Sequence, residues 1–345
     1  MDQVPFAFFD HLCDVLSIDG LWPAKELSGY YGEVSQLAYE RKVSYVGILK
    51  DGTEKPLCLI YECNDRDVDQ LKEIETVPKK YVRDVYVHLM DAKDQRMPQK
   101  LVRRFPYARF NFIHNSPSIN AAWVDYACSL TTLWSVGLQK KLDDDSFKLF
   151  QKLITEQRVS QLIMFPEACE GDTMEIPKSL LCQGQFENLH IASYHAPWSG
   201  SAVRELLNVW SENSDKLRGK NLVVEEYKEG GVEQVEEFLF ERAEALCVAS
   251  LAQRYMVLQC VLKVCSKEEC DFINKEYQHN HFTFLKPSCV YKFEEGEEGN
   301  KRRLYVSFEC TKKEEIRKPQ FPANYQGHDD LSLLRKTSLV HVLFA

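Results

Sequence analysis

The sequence predicts an α/β protein whose middle part is a stack of strand–helix repeats with parallel strands. A short motif predicts the strands: an apolar residue, any two residues, an apolar residue, any one residue and a third apolar residue. The stretches between copies of the motif carry apolar residues three and four positions apart, which is the spacing of an amphipathic helix. One strand–helix unit cannot bury its apolar face alone, so we expect successive units to stack with their strands side by side.

Six copies of the strand motif occur at nearly regular intervals. The steps between their central apolar residues are 25, 26, 26, 27 and 33 residues. Gly219 occupies the first position of the sixth copy, where the other copies have an apolar residue. The central residues of the six copies are Val85, Phe110, Val136, Leu162, Leu189 and Leu222.

Four helices are predicted in the stretches between and after the strands, at residues 118–128, 143–156, 199–216 and 232–246. Three consecutive aspartates, from Asp143 to Asp145, stand at the start of the second helix. Negative charge is favourable there because the exposed backbone N–H groups and the helix macrodipole attract it. We therefore interpret these carboxylates as a helix start and not as a metal site.

A short strand and a helix in each period resemble the leucine-rich repeat (LRR), whose period is about 20–29 residues. The resemblance implies an LRR-like βα solenoid over residues 46–250, whose concave strand face is the default binding surface. Asn111, Ile163 and His190 alternate with core positions and are the candidates for binding a target protein. The alternative is an ordinary α/β domain with a parallel sheet, because the copies lack the Asn or Cys that follows the strand in the standard repeat.

The pattern changes after residue 250, and a C-terminal α+β cap is predicted over residues 251–345. Residues 289–293 and 304–308 are expected to pair as a β-hairpin, because the second segment has apolar residues at alternate positions. Such a cap shields the core of the last repeat, which would otherwise be exposed. Residues 331–344 are expected to pack back on the cap.

The first 45 residues are predicted to form a small helical module. Phe8, Leu12 and Leu16 follow helical spacing, and a second apolar cluster from Leu27 to Val34 again steps by three or four residues. A segment this small cannot bury much apolar surface by itself. It therefore either packs onto the repeats or offers an apolar face to a partner.

This module resembles the F-box, a short three-helix segment. The F-box family opens with Leu-Pro followed by apolar positions on the first helix, and here Val4-Pro5 precede Phe8. Near its end the family has a Trp three positions beyond a Val-Cys pair, where this chain has Leu27-Ser28 and then Tyr31. The opening MDQVP and the later WSENSDKLRGKNLVV also resemble nematode families of F-box proteins with a C-terminal associated domain.

The resemblance implies that the chain is a substrate-receptor subunit of an SCF-type ubiquitin ligase. The module would dock on a Skp-type adaptor linked to a cullin scaffold, and the repeats would hold the target protein. Ubiquitin transfer would then be accelerated through proximity, with the chemistry done by other subunits. The alternative is an LRR-like binding scaffold or decoy without ligase association. The residues implied in adaptor docking are Val4, Pro5, Phe8, Leu12, Leu16, Leu27 and Tyr31.

Composition argues against nucleic acid and membranes as partners. The net charge is −9, whereas proteins that grip nucleic acid use Lys and Arg for most of their affinity. No apolar run approaches the roughly 18 residues needed to span a bilayer, and the N-terminal segment lacks the basic region of a signal peptide. The twelve cysteines form no C-x-x-C pair. We therefore expect reduced cysteines and a cytoplasmic or nuclear location.

The sequence contains no G-x-S-x-G, G-x-x-x-x-G-K, G-x-G-x-x-G or H-E-x-x-H motif. We therefore predict a protein that is not an enzyme and holds no cofactor or metal. A thiol protease set of Cys169, His195 and Asp172 is disfavoured because no family signature surrounds the cysteine. The alternative metal hypothesis is a zinc site, although its spacing fits the usual zinc knuckle poorly. Its ligands would come from Cys260, Cys265, Cys270, His279 and His281.

Overall fold

The computed structural model describes residues 5–16, 18–91, 97–193, 200–226, 230–243, 251–279, 282–297, 301–311, 321–324 and 329–345. The chain divides into two compact units. Unit 1 comprises Met1–Gly137 and Leu142–Lys152, and unit 2 comprises Leu138–Lys141 and Leu153–Ala345. The three-part division at residues 45 and 250 stays a prediction.

Unit 1 consists of three helices followed by a mixed sheet with helical connections. Its strand order is β3–β2–β1–β4–β5–β6. The β1–β2 and β2–β3 pairs are antiparallel, whereas β1–β4 and β4–β5 are parallel. In chain order the elements are α1 (Phe6–Val15), α2 (Ile18–Ala24), α3 (Tyr30–Arg41), β1 (Val43–Lys50), β2 (Thr53–Tyr61), β3 (Arg66–Val68), α4 (Leu71–Thr76), β4 (Val82–Leu89), α5 (Met97–Arg104), β5 (Arg109–His114), α6 (Ala121–Ser129), β6 (Leu133–Leu138) and α7 (Asp144–Thr155).

The apolar strand motif of unit 1 lies on the covered face of the sheet. Val85 of β4 is directly opposite Phe110 of β5 in a parallel register, and both side chains are buried. Helix α6 packs against this face, with the ring centroids of Trp123 and Phe112 6.0 Å apart. The helix begins at Asn120, whose Oδ1 accepts a 2.7 Å hydrogen bond from the Trp123 backbone N–H. This side-chain cap satisfies a donor that the first helical turn would otherwise leave unpaired.

Unit 2 continues the alternation of strands and helices and ends in antiparallel strands. Its strand order is β7–β8–β9–β15–β13–β12–β10, and β11 pairs separately with β14. The β7–β8 and β8–β9 pairs are parallel, and the remaining pairs are antiparallel. The elements are β7 (Gln161–Met164), α8 (Glu175–Leu181), β8 (Asn188–Ser193), α9 (Ala202–Leu217), β9 (Asn221–Glu226), α10 (Gly231–Arg242), α11 (Leu251–Val261), β10 (Leu262–Val264), α12 (Lys267–Tyr277), β11 (Thr283–Phe284), β12 (Ser288–Glu295), β13 (Arg302–Glu309), β14 (Phe321–Pro322) and β15 (Leu339–Phe344).

The parallel register of unit 2 confirms the predicted alignment of three repeat positions. Leu162, Leu189 and Leu222 are direct neighbours on β7, β8 and β9, and all three are completely buried. Trp210 of α9 is buried in the same unit, with its ring centroid 6.4 Å from that of Phe344. Both units are thus of the α/β class with parallel strands, as predicted.

The four predicted helices are present as α6, α7, α9 and α10, with ends shifted by a few residues. Residue 199 and residues 244–246 of the predicted ranges lie outside the described residues. Among the described residues, no helix is long and apolar enough to cross a membrane.

The predicted C-terminal hairpin is formed by β12 and β13, in which Cys289 pairs with Phe308. Tyr305 and Ser307, which stand between the alternate apolar residues of β13, are also buried. Tyr305 lies in a cluster with residues of α12, and Ser307 contacts His279. Both faces of the strand are therefore covered.

The last strand confirms that residues 331–344 pack back on the hairpin. Strand β15 lies between β9 and β13 and is antiparallel to both. Val342 is opposite Leu222 on one side and Val306 on the other, and all three are buried. The antiparallel cap of unit 2 is therefore joined to β9, the last parallel strand, through β15.

Candidate protein-binding site

Three short helices at the start of unit 1 enclose a small core of their own. Cys13 of α1, Leu21 of α2 and Ala38 of α3 are buried together. The Cys13 thiol lies 3.4 Å from the Ser35 hydroxyl, which adds a polar contact between α1 and α3. Burial raises the pKa of this thiol and keeps it in the neutral form. A core of this size cannot cover all the apolar side chains of three helices.

Two cations fasten these helices to the strands of unit 1. Arg83 of β4 lies with Nη2 3.0 Å from Oδ1 of Asp14 on α1. Lys42, between α3 and β1, donates from Nζ to the backbone carbonyl of Leu16. Lys42 is buried, and desolvation lowers the pKa of its amine to about 8. Helices α1–α3 are therefore held in place on the sheet.

Large apolar side chains of α1–α3, and Leu27 in the turn between α2 and α3, remain exposed to solvent. Their exposed fractions range from 40% to 65%. The rings of Phe6 and Tyr30 have centroids 4.4 Å apart, so α1 and α3 contribute to one aromatic group. Exposed apolar side chains of this size are candidates for contact with a partner. We call the following residues the N-terminal apolar surface: Phe6, Phe8, Val15, Trp22, Leu27, Tyr30 and Leu37.

The residues predicted to dock on an adaptor divide into two groups. Phe8 and Leu27 are exposed within the N-terminal apolar surface, and Pro5 is exposed beside it. Leu16 and Tyr31 pack against the small core of the helices, and Leu12 is half-buried. Val4 lies outside the described residues.

Five members of the N-terminal apolar surface were not among the residues predicted to dock: Phe6, Val15, Trp22, Tyr30 and Leu37. Helical spacing identifies apolar positions, but it does not tell which of them a core of three helices leaves uncovered.

A groove lies between α1, α3 and the 3₁₀ helix Lys79–Tyr81. Its cavity has a volume of about 340 Å³. The groove adjoins the N-terminal apolar surface, because Tyr30 and Leu37 belong to both. Its lining combines apolar side chains with three carboxylates and one lysine: Asp10, Cys13, Asp14, Tyr30, Glu33, Val34, Leu37, Ala38, Lys80 and Tyr81.

The candidates on the strand face have different environments. Asn111 is only 2% exposed and accepts a 2.6 Å hydrogen bond from the Ser135 hydroxyl, so the prediction that it is exposed to a target protein is wrong. Ile163 is half-buried on β7. His190 is also half-buried, and its Nε2 lies 3.0 Å from Oε2 of Glu225 on β9.

Arg109 is a binding candidate on β5 that sequence reasoning missed. Its Nε and Nη2 donate to the two carboxylate oxygens of Asp84 on β4, at 3.1 and 2.9 Å. Its guanidinium carbon lies 4.7 Å from the centroid of the Trp134 ring, and half of the side chain is exposed. Arg and Trp are enriched among the residues that dominate binding energies. The sequence contained a signal for this ion pair, because Asp84 and Arg109 each directly precede the central apolar residue of a repeat and so occupy equivalent positions.

The proposed zinc ligands have dissimilar surroundings. Cys260 is exposed, whereas Cys265 and Cys270 are buried in an apolar cluster of unit 2. His279 is buried with Nε2 2.9 Å from the Ser307 hydroxyl, and His281 lies outside the described residues. No group of three metal-binding side chains occurs in the part of the chain that the structure describes.

Two members of the thiol protease alternative, Cys169 and Asp172, lie among the described residues. Cys169 is buried, and desolvation raises the pKa of its thiol to about 12, the opposite of what a nucleophilic cysteine needs. His195 lies outside the described residues. Asp172 lies in the 3₁₀ helix Gly171–Met174.

Comparison with known proteins gives no relative from which a role could be transferred: no family model, curated protein or solved structure matches the chain.

Proposed function

We propose that the chain is a substrate-receptor subunit of an SCF-type ubiquitin ligase. The observation that supports this most directly is the N-terminal apolar surface, exposed on α1–α3 and the turn between α2 and α3, a segment fastened to the strands of unit 1. An exposed surface of aromatic and aliphatic side chains is costly in water and becomes favourable when a partner covers it. The F-box resemblance of the same segment suggests that the partner is a Skp-type adaptor attached to a cullin.

The remainder of the chain would hold the target protein. Parallel strands that follow one another in chain order, with helices between them, fit the LRR-like plan in each unit. Within this proposal each unit offers its own target contacts: Arg109 on the Trp134 ring in unit 1, and Ile163 and His190 in unit 2. The chain itself supplies position, and the other subunits supply the chemistry.

A binding experiment with matched variants tests the adaptor contact. Phe8 lies in the N-terminal apolar surface and is 54% exposed, and Leu71 of α4 is also 54% exposed but lies elsewhere in unit 1. Truncating a central aromatic contact costs about 2 kcal/mol, or about 30-fold in Kd. We therefore expect Phe8→Ala to weaken binding of a purified Skp-type adaptor by about that factor, and Leu71→Ala to leave it unchanged.

Two experimental results would contradict the proposal. If the whole chain, folded by circular dichroism, fails to retain the adaptor in a pull-down, the ligase role is wrong. The scaffold or decoy role would then replace it. Equal losses in Phe8→Ala and Leu71→Ala would show that the N-terminal apolar surface is not the docking site.

A further inference from the structure

We infer that the protein that docks on the N-terminal apolar surface inserts a basic side chain, lysine or arginine, into the groove between α1 and α3. This inference rests on the proposed function for the site, and it adds the chemistry of the partner.

The shape of the groove suits a side chain with an apolar stem and a charged end. The wall and floor include Val34, Leu37 and the buried Ala38, which can pack against methylene groups. Tyr30 and Tyr81 provide aromatic rings at the lining. Lys and Arg bury their stems along apolar surface while keeping the charged group near polar partners, and their cations are attracted to aromatic faces.

The charged side chains that line the groove favour a positively charged side chain from the partner. Asp14 is already neutralised by Arg83 at 3.0 Å. Asp10 receives only a long 3.5 Å hydrogen bond from the Tyr30 hydroxyl, and neither Asp10 nor Glu33 forms an ion pair with any described residue. These two carboxylates would lose water when a partner covers the groove, and that loss is unfavourable unless a cation replaces the water.

Other occupants fit the groove less well. A purely apolar side chain would leave Asp10 and Glu33 covered without compensation, and an acidic side chain would be repelled by them. The lining cation Lys80 is exposed, with Nζ 5.0 Å from the ring centroid of Tyr81. It therefore leaves both carboxylates available to the partner.

The test measures adaptor affinity at three salt concentrations for the whole chain and two charge variants. We expect Asp10→Asn combined with Glu33→Gln to weaken binding about three- to tenfold, the sum of two partly exposed ion pairs, and to flatten the salt dependence. The control is Asp145→Asn, an exposed carboxylate at the start of α7, which should leave both quantities unchanged. Unchanged affinity and salt dependence in the double variant, with the adaptor still bound, would overturn the inference and leave the proposed function intact.

If the adaptor does not bind at all, the proposed function is refuted. A second measurement then tests whether the groove prefers a basic side chain. Two fluorescent amphipathic helical peptides are then compared, one with leucine and lysine and the other with leucine and glutamate. The inference requires tighter binding of the lysine peptide and its loss in the Asp10→Asn, Glu33→Gln variant. Equal binding of the two peptides, or binding that ignores these substitutions, overturns it.

Discussion

Acid should destabilise unit 2 through two buried histidines, His279 and His341. Their ring centroids are 4.8 Å apart, and Phe282 stacks on His341 at 4.2 Å. His279 shares a 2.9 Å hydrogen bond with Ser307, and His341 one of the same length with Asn221. These contacting groups carry no charge that would stabilise an imidazolium. Burial lowers the pKa of His279 from 6.5 to about 4, and burial together with the neighbouring His279 lowers the pKa of His341 well below 6.5.

The direction of the effect follows from proton linkage. Below pH 6.5 the unfolded chain binds a proton at each histidine, whereas folded His279 does so only near pH 4. The unfolded state therefore binds more protons in this window, and stability falls as the pH falls from about 6.5 to about 4. A difference of about 2.5 pKa units corresponds to about 3 kcal/mol for His279 in total. About 2 kcal/mol of this is lost between pH 7 and pH 5.

The assay is urea unfolding at pH 7 and pH 5, followed by tryptophan fluorescence, with hydrogen exchange on peptides from β13 and β15 to locate the change. Glutamine does not titrate in this range, so His279→Gln should reduce the loss of stability between the two pH values by about 2 kcal/mol. His11→Gln, at an exposed position of α1, is the control and should retain the full loss. If wild type and His279→Gln lose the same stability on acidification, the reasoning is refuted.

Two further substitutions test the packing of each unit. Arg335 forms an ion pair with Glu236 of α10, whose side chain is 3% exposed, so Arg335→Met should cost about 3–5 kcal/mol in urea unfolding by leaving a buried charge unpaired. Adding Glu236→Gln should recover most of that loss, and a failure to recover would mean that the pair is not what stabilises this contact. Asn120→Ala should cost about 1 kcal/mol by removing the cap of α6. Asn120→Asp retains an acceptor oxygen and should cost less, so equal losses would contradict the capping role.

The repeats could be predicted from sequence because their signal is local and periodic. An apolar residue that recurs at a fixed step marks the covered face of each strand, and Leu162, Leu189 and Leu222 are aligned as expected. The burial of Tyr305 was harder to predict, because it depends on α12, a helix that the periodicity of the strands does not describe. The burial of Asn111 likewise depends on Ser135 of the next repeat, 24 residues away.

One missed element did have a local signal. The β1–β2 hairpin turns at Asp51-Gly52, with Lys50 paired to Thr53. Both turn residues have positive φ, at 50° and 75°, which is the conformation that Asp-Gly favours in two-residue hairpins. The candidate site was less predictable than this hairpin. Exposure of Phe6 or Trp22 is decided by how three helices share a small core, and that is a property of packing and not of spacing.

The six residues of β15 cover the edges of two other strands, β9 and β13. Removal of residues 339–344 would uncover the pairing edges of β9 and β13 together, because β15 is bonded to both. Unpaired strand edges recruit strands from other molecules, and these two edges bear buried apolar residues such as Val224 and Val306. A proteolytic cut that releases this short segment would therefore leave two neighbouring strand edges open to association between copies of the chain.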